Sequence, residues 1–142
     1  MKLHQFLILI VLVSLAGACD FTDNRLNIRN NSNHAIAFDY SVDTTLEKKQ
    51  IYDIPSYIVE KILPGETKSQ SIFGSTQGWP FLIQRSNNNK LNVFIISIDT
   101  LLKYDDWVYI RTHRLYQRYS FTEEELNRIN WIVEYPQQKE GG

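Results

Sequence analysis

Short apolar–polar alternating segments, cut apart by turn residues, constrain this chain more than any other feature. Ile36, Phe38, Tyr40 and Val42 alternate with Ala35, Ala37, Asp39 and Ser41, a period of two that suits a strand with one face on a core. Leu26 and Ile28 begin an earlier strand, closed by Asn30-Asn31-Ser32-Asn33. Tyr57 to Leu63 and Lys68 to Phe73 read as strands flanking Pro64-Gly65-Glu66, where Pro fixes φ and Gly accepts φ > 0. Phe81 to Arg85 and Leu91 to Ile98 flank the loop Ser86 to Lys90, with Pro80 at a strand start, where a missing N–H does least harm. Leu91 to Ile96 is almost continuously apolar and predicts a strand buried on both faces. Arg114 to Tyr119 and Trp131 to Tyr135 complete the series, Asp43 to Tyr52 reads as loop, and Asp105 to Arg111 stays open, since Trp107 and Ile110 are helically spaced on a short segment. Such a series predicts a mainly β chain, an antiparallel β-sandwich.

One helix is expected on that sandwich, at about 122–130. Thr122-Glu123-Glu124-Glu125 is a capping box, with Phe121 and Leu126 placed for a hydrophobic staple. Three glutamates in the first turn complement the helix dipole, and Asn130 suits a left-handed end. A local echo, Ser41-Val42-Asp43-Thr44 against Ser97-Ile98-Asp99-Thr100, marks two similar strand exits, at each of which Asp is expected to make an Asx-turn.

The N-terminus gives an address. Lys2 precedes an apolar run from Phe6 to Leu15, and Leu15-Ala16-Gly17-Ala18 leads into Cys19. A basic end, a short apolar run and small residues make a secretory signal, and the run is too short to be read as a membrane span. Ala16-Gly17-Ala18 fits ordinary signal peptidase, and with Leu15 and Cys19 it also resembles a bacterial lipobox, which implies lipidation of Cys19 and removal of residues 1–18. Cys19 is the sole cysteine, so no disulfide within the chain competes for it. The expected organisation is a signal peptide at 1–18, a lipidated N-terminus and short tether at 19–25, a β-sandwich at 26–136 and a disordered tail at 137–142.

The charge balance narrows the partners. Fifteen basic residues face 16 acidic ones, and the count falls to 14 against 16 once Lys2 leaves with the signal. A near-neutral domain argues against electrostatic capture of nucleic acid. Eight Tyr, seven Phe and three Trp with only six Gly suit a packed domain rather than a disordered one.

Residues 99–136 carry a resemblance. Asp99-Thr100-Leu101, Trp107, Leu115, Arg118-Tyr119, Phe121 to Leu126, Asn130-Trp131 and Tyr135-Pro136 resemble a family of small uncharacterised lipoproteins from Bacteroidetes. The resemblance implies lipidation and an outer-membrane or cell-surface address. It transfers no catalytic residue.

Candidate chemistry is sparse. No Gly-x-Ser-x-Gly elbow occurs. His34 and His113 lack partners at zinc-ligand spacing, and Asp99, Asp105 and Asp106 lack a calcium-loop pattern, so all five read as surface, loop or cap residues and no metal or cofactor is expected. Trp107 and Trp131 read as core, whereas Trp79, between Gly78 and Pro80 in a polar loop, is a candidate exposed ligand contact. Arg114, Tyr116 and Arg118 would share one strand face, opposite Leu115 and Tyr119, where an acidic partner could dock. The expected function is a lipid-anchored, non-enzymatic binding or structural module of the cell envelope, held to its membrane by the lipid and meeting a protein or glycan. An immunity or inhibitor lipoprotein against an envelope-directed toxin or enzyme is the alternative, and a small hydrolase the third.

Overall fold

A computed structural model of the protein describes residues 21–46 and 53–137. Cys19, the leader, residues 47–52 of the expected loop and nearly all of the expected tail lie outside the described residues. Six strands form two three-stranded sheets. β1 (Thr22–Asn30), β3 (Thr67–Phe73) and β6 (Ile132–Tyr135) make the first, in the order β3-β1-β6. β2 (Ile36–Ser41), β4 (Leu91–Ser97) and β5 (Gln117–Phe121) make the second, in the order β2-β4-β5. The second sheet is antiparallel throughout, whereas in the first β1 pairs antiparallel with β3 and parallel with β6.

The chain is therefore β-rich, but it is not a sandwich with a single helix. Five α-helices are described: α1 (Ile54–Val59), α2 (Gly78–Gln84), α3 (Ile98–Tyr104), α4 (Trp107–Thr112) and α5 (Glu123–Arg128). Two apolar cores result. Leu26, Ile28 and Val133 of the first sheet meet Ile36, Leu91, Val93, Ile95 and Phe121 of the second, with Trp79, Leu126 and Trp131 closing the ends. On the far side of the second sheet, Ala37, Phe94 and Ile96 meet Ile54, Tyr57, Leu101, Trp107 and Ile110 of the helices. β4 is thus buried on both faces, as its nearly continuous apolar run predicts. In β2 the expected apolar face, Ile36, Phe38 and Tyr40, turns to the first core, and the face expected to meet water lies under helices.

The differences have local causes. Tyr57 to Leu63, expected as strand, begins inside α1, because Asp53 caps that helix by accepting from Ser56 N and Pro55 fits its first turn. Phe81 to Arg85, also expected as strand, belongs mostly to α2, with Pro80 in the first turn rather than at a strand start. Ser97 caps α3 and Asp106 caps α4, which settles the open segment as helix. At both echoed strand exits the acceptor is the serine and not the aspartate: Asp43 N donates to Ser41 Oγ at 3.0 Å and Asp99 N to Ser97 Oγ at 3.2 Å. β5 starts only at Gln117, after Arg114 turns the chain at φ 51. β1 starts at Thr22, so it takes up the last four residues of the stretch read as tether.

The capping box forms as read, with Thr122 and Glu125 bonded reciprocally at 3.2 and 2.7 Å. Asn130 takes φ 51 just beyond the helix. Trp107 and Trp131 are core.

Candidate functional site

Trp79 must be placed first, because the structure reverses its expected role. It is fully buried in α2 and meets Tyr40 edge-on at 5.0 Å. Its Nε1 donates to the Asp23 carbonyl at 3.0 Å, and its backbone N donates to Asp23 Oδ2 at 3.1 Å. The sequence reading failed on geometry: the loop ends at Gly78, and a Cβ there would lie 2.6 Å from the Phe73 carbonyl. Glycine therefore lets α2 press against β3 and drives the indole inward. Asp23 also holds Arg25, whose guanidinium lies 2.7 Å from Oδ2 and 4.4 Å over the Trp131 ring. Burial alone would raise the Asp23 carboxyl, but hydrogen bonds from Arg25 and Trp79 hold it below the usual aspartate value. This cluster is structural: its donors and acceptors are spent on one another.

The expected basic face does not exist as a strand face. Arg114 sits in the turn after α4, Tyr116 is half-buried edge-on against Phe94 at 5.3 Å, and Arg118 lies on β5, donating from Nη1 to the Thr44 carbonyl at 2.6 Å. The same residues nonetheless converge. Arg111, Arg114 and Tyr116 line a cavity of about 340 Å³ with Thr45, Leu46 and Val108, and Arg118 reaches the adjoining Thr44. Arg111 Nε and Trp107 Nε1 are buried there or close by with no hydrogen-bond partner among the described residues. A buried N–H without an acceptor costs about 1–3 kcal/mol, so the arrangement favours an acceptor that would meet it. Arg111 ends the segment whose helical spacing the sequence leaves open, and α4 is the element that carries it to the cavity.

A second cleft, of about 290 Å³, opens along the outer edge of β2 against α1 and β3. Sequence reasoning missed it because Asp39 reads as the outward side of an alternating strand, whereas α1 covers it with Tyr57. The Tyr57 hydroxyl donates to Asp39 Oδ2 at 2.6 Å, and Tyr40 N donates to Asp39 Oδ1 at 2.7 Å. Lys68 and Glu60 pair across the mouth, and the Lys68 ammonium lowers the Glu60 carboxyl below its usual value. The inward positions of β3 at this point are Lys68 and Gln70, too polar to close against β2, which is why a gap stays open.

The remaining candidates are accounted for locally. His34 packs edge-on to Tyr135 at 5.9 Å, and His113 stacks on Tyr109 at 3.8 Å. Asp99 lies in the first turn of α3, Asp105 ends that helix in the left-handed region, and Asp106 caps α4. Among the described residues no group of three or more His, Cys, Asp or Glu converges as a metal site. Comparison with protein-family models, with curated proteins and with solved structures finds no match, so the chemistry of the site rests on this chain's own residues.

Proposed function

We propose that the chain is a lipid-anchored protein of the cell envelope that binds a carboxylate-bearing partner without chemical turnover. The arginine cavity carries the binding half of the reading. Two arginines, Arg111 and Arg114, and Tyr116 line one opening, Arg118 holds the adjoining Thr44, and a carboxylate can take two parallel N–H bonds from one guanidinium. The anchoring half is supported by the signal-like leader, the sole Cys19 and the resemblance to Bacteroidetes lipoproteins, which also favours the outer membrane or cell surface. The sharing of one core by the two sheets supports the sandwich reading at the centre of the fold.

Two measurements test the halves separately. Cys19→Ala should release the protein from membranes into the soluble fraction, and unchanged membrane partition removes the anchor. Titration with poly-L-glutamate and with polygalacturonate distinguishes an acidic peptide from an acidic glycan. Binding to either should weaken as salt rises and disappear in an Arg111→Met/Arg114→Met variant. Equal binding by that variant removes the cavity from the reading.

A further inference from the structure

The chain holds seven phenylalanines, and those the structure exposes gather at one end. Phe21, Phe73 and Phe81 are 69 %, 87 % and 61 % exposed, whereas Phe38 is half-buried and Phe94 and Phe121 are buried. Strand pairing brings the first two to one end of the sheet, on its opposite sides. Thr22 is the register partner of Phe73, and the Phe21 carbonyl accepts from Gly74 N at 2.8 Å and Ser75 N at 3.3 Å. Gly74, at φ 121, then turns the chain into α2, whose Gly78 backbone abuts the Phe73 carbonyl and whose outer side carries Phe81. The Arg85 guanidinium lies 5.3 Å over the Phe81 ring.

The lipid-anchor reading supplies an occupant for that end. Phe21 is two residues after Cys19, a reach of about 7 Å at most. A bilayer holding lipid on Cys19 would therefore lie against these rings. We infer that Phe21, Phe73 and Phe81 surround a membrane-contacting end of the molecule, entering the interfacial layer and holding the β1 N-terminal end against the lipid. The inference rests on the lipid-anchor reading and adds to it an orientation. Apolar rings gain by leaving water at the headgroup boundary, and a cation beside one of them can stay among the phosphates. With 14 basic and 16 acidic residues after Cys19, the attraction is not a charge effect of the whole domain and should survive high salt.

The acylated protein in phosphatidylethanolamine/phosphatidylglycerol vesicles tests this. With Cys19 blocked by its thioether, Phe73→Cys supplies the sole free thiol for an environment-sensitive fluorophore. Leu63→Cys is the control, beside the Pro64–Gly65 turn that bonds Asn30, about 26 Å away along β1. The label at 73 should brighten severalfold on vesicles and be quenched by spin-labelled lipid at low and high salt, while that at 63 stays in water. Adding Phe21→Ser and Phe81→Ser should reduce quenching at 73 by about tenfold without releasing the protein. Equal responses at 73 and 63, or quenching unmoved by the serines, overturn the membrane face and leave the anchor standing. A mass spectrum showing Cys19 unacylated overturns the anchor, and the face with it.

Discussion

The two faces of β4 look onto cores built by different rules. Toward the first sheet, Leu91, Val93 and Ile95 meet strands, and the buried polar group at the edge of that core, Asp23, is matched by Arg25 and by two bonds involving Trp79. Toward the helices, Phe94 and Ile96 meet a layer of short helices in which Trp107 Nε1 and Arg111 Nε have no partner among the described residues. The first core is closed in the hydrogen-bonding sense and the second is not. A closed core supports the fold and offers nothing to a ligand. An open one keeps buried donors unmet among the described residues, one of them on Arg111, which lines a cavity.

Breaking the closed side should have the largest effect. Asp23→Ala removes the ion-pair partner of Arg25 and the acceptor of Trp79 N, and should cost about 3–5 kcal/mol in urea unfolding. Its pH dependence has a fixed sign. The folded carboxyl lies below its ordinary value of 3.8, so its contribution is fully present above that value and is lost as pH falls below it. The stability gap between the protein and Asp23→Asn should accordingly hold from neutral pH down to about 4 and shrink at more acid pH. A gap that widens on acidification would mean that burial, not the Arg25 pair, governs Asp23.

The tryptophans sharpen the contrast. Trp79→Phe strands the Asp23 carbonyl, whereas Trp107→Phe deletes an N–H that has no partner among the described residues and keeps a ring against Tyr57, with which Trp107 stacks at 5.0 Å. The first should cost about 1–2 kcal/mol more than the second. Equal costs would show that both indoles are held by packing alone. On the same scale Thr122→Ala should cost about 1 kcal/mol, the ordinary value of an N-cap, and confirm α5 as a locally specified element.

The same contrast explains what the sequence revealed. Period two marks β2, and a nearly continuous apolar run marks β4, because strand burial is written directly into residue order. The capping box writes α5 just as directly. Helices α1 to α4 have six or seven residues, too few to show a helical period. Their remaining local mark is the cap, and Asp53 before Ile54-Pro55, Ser97 before Ile98 and Asp106 before Trp107 were legible as caps in hindsight of that rule. Trp79 carried no such mark. Its burial follows from a contact between Gly78 and Phe73 that only the folded chain brings about. The arginine cluster was half legible: Arg111, Arg114, Tyr116 and Arg118 are near in sequence, but they meet across a helix, a turn and a strand rather than along one strand.

The smallest effect is the most diagnostic of the open side. Arg111→Met keeps an unbranched apolar stem in the cavity and removes the unpartnered Nε–H. Replacing a buried, fully bonded arginine ordinarily destabilises; here the lost donor was unmet, so the change in unfolding free energy should stay within about 0.5 kcal/mol of zero. Binding of an acidic probe should fall severalfold in the same variant. A loss of several kcal/mol would mean that Arg111 has a structural partner, and the helix-side core would then be closed like the other. Near-zero stability change with weakened binding separates the two cores as drawn: one whose buried donors are met within the fold, and one in which two buried donors stay unmet among the described residues.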